Sequence, residues 1–437
     1  MGTTRAALPE WPVRTLRVRV VDGADAGKTV TSEDDRLTIG AADDCGLVVA
    51  DRRVSRYHVE VTASTQGIRV RDMGSTNGVF VGALRVTDAV VPPATRLLLG
   101  ATTVEIEDGS KALVALYEET SLGGLLGTSL PMRRAMAKLA KVAGSNASVL
   151  LVGESGTGKE LAARALHDAS PRSAQPFEVV DCAALVPTLV ASELFGHERG
   201  AFTGAERAHA GAFERAQGGT VFLDEIGELP RDVQPQLLGA LERRRVRRLG
   251  ARTDVPIDVR VVSATHRDLR AEVNASAFRL DLYYRVAVVL VELPPLRERR
   301  GDVRPLVEHF LREAGVTEPP EKALPAGFLE ALAAHHFPGN VRELRNLVEA
   351  ALATGESPSP ARAPHGEGEG HALAGSPGAA TYGEARDAVL SDFEARYLPE
   401  LLARAEGNVS KAARLASMDR SHLIHLLQKH GLRTGRG

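Results

Sequence analysis

Residues 149–159 are Val149-Leu150-Leu151-Val152-Gly153-Glu154-Ser155-Gly156-Thr157-Gly158-Lys159. The apolar run at 149–152 predicts a short buried strand, and the spacing of Leu161, Ala165 and Leu166 predicts a helix after it. A glycine-rich turn in that context lets backbone N–H groups converge on phosphate oxygens at the positive end of the helix. Lys159 is expected to neutralise β- and γ-phosphates. The stretch therefore predicts an α/β domain that binds a nucleotide through residues 153–160. At position 160, Glu160 replaces the hydroxyl residue that usually binds Mg²⁺.

Two adjacent carboxylates follow a second apolar run. Residues 218–225 are Gly218-Gly219-Thr220-Val221-Phe222-Leu223-Asp224-Glu225. Such a strand end suits a Walker B motif, in which Asp224 would hold Mg²⁺, directly or through water, and Glu225 would orient the attacking water. Taken alone, the stretch favours a strand end with a solvated acidic turn. The P-loop upstream favours the catalytic interpretation.

Further polar groups follow a third apolar strand, predicted over residues 259–265. Thr265 and His266 stand at its end, where a γ-phosphate sensor would lie. Arg279 and Arg285 have the planar, permanently charged fork that suits a transition-state phosphate, and a neighbouring subunit can supply such a group. A surface pair with Asp281 is the alternative. Arg342 is expected in the first turn of a helix that begins after Phe337-Pro338-Gly339, where a cation opposes the helix dipole. That unusual position favours a phosphate contact for Arg342.

A glycine-rich run lies between the two halves of this nucleotide site. Residues 196–205 are Gly196-His197-Glu198-Arg199-Gly200-Ala201-Phe202-Thr203-Gly204-Ala205. The run is too rich in Gly and Ala for a stable helix and too poor in apolar residues for a strand, which predicts a mobile surface loop. An exposed aromatic on such a loop is typical of a contact surface. The alternative is an ordinary turn with Phe202 folded back onto the core.

Together these motifs closely resemble the AAA+ activators of sigma-54 RNA polymerase, the bacterial enhancer-binding proteins, from about Leu126 to about Thr354. The resemblance implies a loop that contacts sigma-54 through Gly200, Ala201, Phe202, Thr203, Gly204 and Ala205. It also implies that Arg279 and Arg285 act in trans and that Arg342 is a sensor in the lid. The family also carries Glu after the P-loop lysine. ATP and Mg²⁺ would bind between subunits of a ring, expected to be a hexamer. Hydrolysis would move the Phe202 loop, which remodels the closed promoter complex into an open one.

Three positions depart from the family pattern. Asp181 stands where the family usually has an Asn that holds the catalytic Glu back, and a carboxylate there would repel Glu225 or raise one of the two pKa values. His266 replaces the Asn that usually follows the sensor Thr, and Leu280 replaces a common Glu. None of these changes removes a Mg²⁺ or phosphate contact, so ATP hydrolysis is expected. The alternatives are a DNA-binding regulator with a degraded ATPase and a generic AAA+ remodeller of other proteins.

Residues 13–107 contain short alternating segments punctuated by Gly and Asp, which predicts a β-sandwich. The segments are Thr15–Val21, Leu37–Ile39, Val59–Val61, Gly67–Arg71, Val79–Val81 and Leu97–Ile106. The runs 55–58 (Ser-Arg-Tyr-His) and 72–78 (Asp-Met-Gly-Ser-Thr-Asn-Gly) resemble the forkhead-associated (FHA) domain.

The FHA resemblance implies phosphothreonine peptide binding through Ser55, Arg56, Thr76 and Asn77, with His58 in a structural role. The phosphate-gripping Arg of that family is Ala41 here, and Arg56, Arg52 or Arg53 could substitute for it. Loss of a charge-assisted contact would weaken phosphate binding. A purely intramolecular docking role is the alternative. A phosphothreonine signal is the predicted control of assembly or activity.

The end of the chain is basic. Residues 355–380 are rich in Pro, Gly, Ser and Ala, which predicts a linker. Short helices are predicted at Lys411–Leu415 and Arg420–His430, and residues 408–437 carry six Lys/Arg against one acid. This pattern resembles a Fis-type helix-turn-helix and implies binding to double-stranded, enhancer-like DNA. The expected base contacts are Arg420, Ser421, His422 and His425, and the expected phosphate contacts are Lys411, Arg414 and Lys429. A solvated basic hairpin is the alternative.

The 437 residues suffice for two to four domains. The predicted fold is multidomain, with an all-β FHA sandwich (13–110), a linker (111–121), an α/β AAA+ P-loop ATPase with a helical lid (122–354), a flexible linker (355–383) and an all-α helix-turn-helix (384–433). The net charge of −2 excludes a global field that attracts nucleic acid. The widely separated Cys45 and Cys182 argue against a disulfide framework and for a reducing cytoplasm. No signal peptide or membrane span is predicted.

Overall fold

The computed structural model describes residues 9–64, 66–183 and 187–357, together with 394, 398, 401–402, 405, 408–415, 418 and 420–430 in the C-terminal part. Contacts divide the chain into two units, residues 1–361 and 362–437, and each is described by itself. Among the described helices, none has the length and apolar character needed to cross a membrane.

The N-terminal part is a β-sandwich, as predicted. Its strands are β1 (Glu10–Asp22), β2 (Thr29–Thr31), β3 (Arg36–Gly40), β4 (Leu47–Val48), β5 (Val59–Ser64), β6 (Gly67–Asp72), β7 (Val79–Val81), β8 (Leu84–Val86), β9 (Asp88–Val91), β10 (Thr95–Leu99) and β11 (Thr102–Ala115). They form one sheet in the order β2-β1-β11-β10-β7-β8 and a second in the order β4-β3-β5-β6-β9. In β1, Leu16, Val18 and Val20 are buried while Arg17 and Arg19 face outward. This alternation places one face of each sheet in a shared core.

Two boundaries of the predicted sandwich differ from the structure. The single segment predicted at 97–106 is a hairpin of β10 and β11, because the chain turns at Gly100, whose φ is +61°. Strand β11 also runs to Ala115, paired with β1 as far as Glu10. The first five residues of the predicted linker at 111–121 are therefore strand.

The central part is an α/β domain built on a parallel sheet. Its strands are β12 (Ser121–Leu122), β13 (Leu125–Leu126), β14 (Val149–Val152), β15 (Phe177–Asp181), β16 (Gly196–His197), β17 (His209–Ala210), β18 (Thr220–Asp224), β19 (Arg245–Val246), β20 (Val255–Pro256), β21 (Arg260–Thr265) and β22 (Val289–Glu292). The parallel sheet has the order β15-β18-β21-β14-β22, and the other strands form short antiparallel pairs. All six residues of β21 are buried, as expected for a parallel strand covered on both faces.

Helices cover this sheet and continue into a lid. The helices of the sheet domain are α1 (Leu130–Ala143), α2 (Lys159–Asp168), α3 (Pro187–Phe195), α4 (Ala212–Arg215), α5 (Gln234–Arg243), α6 (Leu269–Asn274) and α7 (Leu280–Val286). The lid comprises α8 (Val303–Glu313), α9 (Pro320–Ala323), α10 (Phe328–Ala334) and α11 (Asn340–Thr354). Its own core includes Phe310, Phe328, Phe337 and Leu344. The strands predicted at 149–152 and 259–265 and the helices expected after Gly158 and Gly339 are confirmed.

The C-terminal unit contains α12 (Val409–Leu415) and α13 (Arg420–Lys429). Its buried cluster includes Leu398, Leu401, Ala412, Leu423 and Leu427. The two helices lie where the sequence predicts them, whereas their assignment as a helix-turn-helix stays a prediction. Most of the predicted linker at 355–383 lies outside the described residues.

Candidate active site

Glycines shape the turn between β14 and α2. Gly156 and Gly158 have φ angles of +78° and +106°, a region that favours glycine. A Cβ at Gly156 would lie 2.3 Å from the carbonyl oxygen of Gly339, so the close approach of the lid backbone also requires glycine. Lys159 begins α2, is buried, and donates from Nζ to the Gly153 carbonyl over 2.9 Å. This turn has the backbone conformation and the lysine position of a phosphate cradle.

Asp224 and Glu225 lie at the carboxyl end of β18, beside the P-loop. Glu225 Oε1 is 3.3 Å from Lys159 Nζ, which joins the two predicted motifs. Burial and then the Glu225 charge raise the pKa of Asp224 above its usual value. Negative charge crowded around a half-buried carboxylate suits a divalent cation, and Asp224 would hold it. No cluster of three or more His, Cys, Asp or Glu side chains forms a metal site among the described residues. Mg²⁺ commonly takes only one or two carboxylates and completes its shell with phosphate and water.

Glu225 is held by His266, the residue that follows the sensor threonine. The backbone N–H of His266 donates to Glu225 Oε2 over 3.0 Å, and Nδ1 lies 2.7 Å from the same oxygen. Burial alone would raise the pKa of Glu225, but the His266 hydrogen bonds and the Lys159 charge lower it below its usual value. Glu225 is therefore a carboxylate at neutral pH, the form that can accept a proton from water.

The other predicted sensors also lie at this edge. Thr265 pairs with Val152 across β21 and β14, is fully buried, and accepts at Oγ1 from the Arg267 N–H over 3.0 Å. Arg342 donates to Ser155 Oγ over 3.0 Å, so the lid brings a guanidinium onto the P-loop. The structure thus brings Lys159, Glu225, Thr265 and Arg342 together, as the sequence predicts.

The sequence analysis missed two residues of this site, Arg297 and Asn340, both of which bind Glu154. The carboxylate of Glu154 accepts two hydrogen bonds from Arg297, at 2.6 and 2.8 Å, and a third from Asn340 Nδ2 at 3.1 Å. Asn340 is buried with a φ of +52°, and it also donates to the Ser155 carbonyl over 3.0 Å. The side chain of Glu154 therefore links the P-loop to the lid, while that of Glu160 is exposed. The only signal in the sequence was the position of Arg297 and Asn340 within motifs of the resemblance.

Arg279 and Arg285 lie at the two ends of α7. Arg279 forms a bidentate pair with Asp281 at 2.7 and 3.0 Å, and Arg285 donates to the Leu241 carbonyl over 2.9 Å. Both arginines are exposed. Within one chain, Arg279 thus forms the surface pair with Asp281 that the sequence analysis weighed as the alternative.

The run at 200–205 is a compact, projecting turn. Gly200 N–H donates to the Ala205 carbonyl over 2.8 Å, and nothing lies within 4 Å of a Cβ built at Gly200 or Gly204. Phe202 is 36% exposed, and its ring meets His197 edge-on at a centroid distance of 4.9 Å. Phe202 therefore rests on the base of its own loop but stays accessible.

Comparison with known proteins identifies the family. The model of the "Sigma-54 interaction domain" matches residues 125–292, and that of the "AAA+ ATPase lid domain" matches residues 297–360. Transcriptional regulatory protein GlrR of Escherichia coli K12 is 42% identical over 75% of this chain and 72% of its own length. The chain belongs to the sigma-54-dependent transcriptional regulators of the NtrC/ZraR type.

Other relatives of this sigma-54-dependent regulator agree. ZraR of Klebsiella oxytoca is 44% identical over 70% of this chain and 69% of its own length. The crystal structure of NtrX from Brucella abortus is 34% identical with a TM-score of 0.50, and it covers 70% of this chain and 69% of that chain. NtrX in complex with ADP gives the same TM-score and identity over 71% and 70% of the two chains. The model of the "Inner membrane component of T3SS, cytoplasmic domain" matches residues 19–109.

The predicted phosphopeptide residues of the regulator share one end of its sandwich. Ser55 Oγ accepts from the Thr76 N–H over 3.1 Å, and Asn77 Nδ2 donates to the Arg53 carbonyl over 2.7 Å. His58 is buried, accepts at Nδ1 from the Ser55 N–H, and donates from Nε2 to the Gly78 carbonyl. Burial lowers the pKa of His58, so it links these loops as a neutral ring. The side chains of Arg56, Thr76 and Asn77 are exposed.

The same end of the sandwich contacts the ATPase domain. Asn274 at the end of α6 donates from Nδ2 to the carbonyls of Tyr57 and Met73 over 2.5 and 2.9 Å. Asp44, three residues after Ala41, accepts from the hydroxyls of Tyr57 and Tyr284, the latter on α7.

Two ion pairs join the domains further along this contact. Arg134 on α1 forms a bidentate pair with Asp35, and Arg36 lies 2.5 Å from Glu292 at the end of β22. The sandwich therefore packs against α6, which begins just beyond His266, and against α7, which carries Arg279 and Arg285 at its ends.

In the C-terminal unit of the regulator, two predicted DNA contacts have described side chains. Lys411 is exposed near the start of α12, and Lys429 pairs with Glu394 at 2.8 Å. The side chains of Arg414, Arg420, Ser421, His422 and His425 lie outside the described residues.

Proposed function

We propose that this transcriptional activator hydrolyses ATP and uses the energy to remodel the closed complex of sigma-54 RNA polymerase. The observation that carries the proposal is the meeting of Lys159, Glu225 and His266 within 3.3 Å at the end of the parallel sheet. The projecting Phe202 turn lies on the same domain. NtrX of Brucella abortus has been crystallised with ADP, which supports nucleotide binding by the P-loop of this chain.

Each group has a role in the proposed reaction. Lys159 and the backbone N–H groups at 153–158 would bind the β- and γ-phosphates, and Arg342 would contact them from the lid. Asp224 would hold Mg²⁺, which offsets phosphate charge when bound. Glu225 would take the proton of the attacking water. Arg279 and Arg285 of a neighbouring copy would stabilise the charge of the transition state, so the active form would be a ring, proposed to be a hexamer.

DNA binding by the C-terminal unit belongs to the same proposal. Residues 408–437 carry six Lys/Arg against one acid, a local excess of positive charge on a chain of net charge −2. The excess favours attraction to the phosphates of double-stranded DNA at sites upstream of the promoter. Bound there, the ring would be kept at a high local concentration near the polymerase.

Replacing Thr203 with Ala tests the coupling between the ATPase and sigma-54. Thr203 is exposed at the tip of the Phe202 turn, so its loss should remove sigma-54 contacts without disturbing the P-loop. Binding of sigma-54 in the presence of a transition-state analogue should weaken at least about tenfold, the loss expected for a hot-spot residue. Open-complex formation should fall in parallel, while the free protein continues to hydrolyse ATP.

Thr253→Ala is the matched control, because Thr253 is exposed in another loop of the same domain. Unchanged sigma-54 binding by Thr203→Ala would contradict the assignment of the loop and favour a generic AAA+ remodeller. Absence of ATP turnover in the unmodified chain at high concentration would favour a DNA-binding regulator with a degraded ATPase.

We further propose that the sandwich is an FHA domain through which a phosphothreonine protein or peptide controls the ATPase. Arg56, Thr76 and Asn77 are exposed at one end of it, and the adjoining residues Tyr57 and Met73 accept hydrogen bonds from Asn274 of the ATPase domain. A ligand that moves these loops would thereby move α6. Asp43 and Asp44 follow Ala41 and would oppose a phosphate, so a purely intramolecular docking role is the second candidate.

Arg56→Ala separates the two roles of the sandwich. The Arg56 carbonyl accepts structural hydrogen bonds, whereas its exposed guanidinium is free for substitution without loss of those bonds. Affinity for phosphothreonine peptides should fall about tenfold or more, because a charge-assisted contact is lost. Titration of a phosphothreonine library measures it, with Arg17→Ala on β1 as the control. Equal affinity for phosphorylated and unphosphorylated peptides would leave only the docking role.

A further inference from the structure

Both carboxylate oxygens of Glu225 are engaged in the structure. Oε1 lies 3.3 Å from Lys159 Nζ, and Oε2 accepts from the backbone N–H and the Nδ1–H of His266. The backbone of Glu225 is in the left-handed region, with φ of +50°, and this conformation sets the direction of its Cα–Cβ bond. A general base needs one oxygen within hydrogen-bond reach of the attacking water. In this arrangement, Glu225 must release a partner and also turn the freed oxygen toward the water.

ATP would release only one of these oxygens. If the proposed function holds, Lys159 turns toward the β- and γ-phosphates when the nucleotide binds, and this frees Oε1. The two hydrogen bonds from His266 do not depend on Lys159, and they keep Oε2 directed toward the end of β21. Because both donors lie on one residue, the ring and the backbone N–H orient the carboxylate together. Departure of Lys159 therefore frees Oε1 but does not let the carboxylate turn toward the water.

Asp181 cannot provide this restraint. It lies at the end of β15, directly opposite Asp224 in the sheet, and its Oδ1 accepts from the Ala183 N–H over 2.9 Å. A carboxylate at this position has no N–H to donate to a second carboxylate. His266, on the opposite neighbour of β18, does have one. The imidazole of His266, at the end of β21, therefore supplies the N–H donor that the Asp181 carboxylate at the end of β15 cannot supply.

There is room for His266 to move away. Its side chain is 47% exposed and lines a cavity of about 340 Å³ with Gly153, Glu154 and Arg267. Arg71 of the sandwich lines the same cavity and lies 3.4 Å from Asp268, two residues beyond His266. A rotation of the imidazole into this space would break the 2.7 Å contact without a change in the sheet, and Oε2 would then keep only the backbone hydrogen bond from His266.

We propose that His266 is a positioning residue. It holds Glu225 away from the attacking water until the imidazole of His266 rotates into this cavity. The proposal rests on the proposed ATPase function and deepens it, because it assigns the control of hydrolysis to a residue of this chain. His266 touches neither the nucleotide nor the water in this role. It acts through Glu225.

The test measures steady-state ATP hydrolysis by the full chain, with kcat and KM determined separately and with ATP binding measured by a fluorescent analogue. His266→Ala and His266→Ser both remove the ring. Either should raise kcat about threefold to tenfold, the range for losing one hydrogen bond of typical net strength from the ground state, with KM nearly unchanged. His266→Asn should return kcat toward the wild-type value, because the amide can donate to Glu225. His309→Ala, which disrupts a partly exposed His–Glu pair on α8, is the control and should change nothing.

A second variant tests the location of the restraint. Adding Asp181→Asn to His266→Ala supplies an amide donor from β15, and it should lower the raised kcat again. A kcat that is unchanged or lower in both ring-deletion variants, with wild-type protein active, would overturn the inference alone. Loss of ATP binding in both would also overturn it, since His266 would then serve the nucleotide directly. If wild type and every variant bind ATP and none hydrolyses it, the proposed ATPase function fails as well.

Discussion

Replacing Glu225 with Gln is expected to lower ATP turnover by about 10²–10⁴-fold, the usual contribution of a general base. Gln has nearly the same size and can still meet Lys159 and His266, but it cannot accept a proton from water. Asp224 and the P-loop stay intact, so ATP should remain bound. The expected result is a protein that traps ATP. Single-turnover hydrolysis and equilibrium nucleotide binding, measured on the same preparation, separate the two effects.

Glu228→Gln is the matched control for this substitution. Glu228 lies three residues further on, in the same short turn, and pairs with Arg267 at 2.6 Å. Its loss removes a carboxylate of the same type from the same region without touching Lys159. Turnover should therefore stay within about twofold, as expected for breaking a partly exposed ion pair. Equal losses in the two variants would mean that Glu225 acts only as a general negative charge. Full turnover in Glu225→Gln would place the base elsewhere.

The nucleotide site could be predicted from sequence because parallel strands place their carboxyl ends at one edge of a sheet. Once the strands ending at Val152, Asp224 and Thr265 are identified, the residues that follow them must meet there. Lys159 and Glu225 do so at 3.3 Å. The hydrophobic pattern fixes the strands, and the strands fix the site.

Contacts between side chains on different elements could not be predicted in this way. The Glu154–Arg297 pair joins residues 143 positions apart, and Arg134 meets Asp35 across 99 positions. Exposed charged side chains leave no periodic pattern that identifies their partners. The hairpin at Gly100 was missed for a local reason, because apolar residues continue on both sides of a two-residue turn. The sequence also suggested that Asp181 would disturb Glu225, whereas the structure places His266 on that carboxylate.

The contact between the sandwich and the ATPase domain adds a physical link that the sequence analysis raised only as an alternative. Asn274 donates to two backbone carbonyls next to the proposed phosphopeptide residues, and α6, which it ends, begins three residues beyond His266. Because the acceptors are main-chain carbonyls, substituting a side chain of the sandwich does not remove them. The contact therefore depends on where the loops lie and not on which side chains they carry. Only the short helix α6 separates this contact from the end of β21, so a shift of these loops could displace the residues there.

Replacing Arg279 with Ala is expected to lower ATP turnover by about 10³–10⁵-fold if Arg279 acts on the nucleotide of a neighbouring subunit. Within its own chain, the guanidinium pairs with Asp281 at an exposed site, so its loss should cost little stability.

Mixing Arg279→Ala with Glu225→Gln decides whether the group acts in trans. Each variant is inactive alone, but a site that takes Glu225 from the first and Arg279 from the second is complete. Random mixing of equal amounts produces such a site at about one interface in four, so about a quarter of wild-type turnover should return. Arg312→Ala, an exposed arginine of α8, should change nothing and restore nothing in the mixture. No recovery from mixed rings would mean that Glu225 and Arg279 serve the same subunit, and the need for a ring in hydrolysis would lose its support.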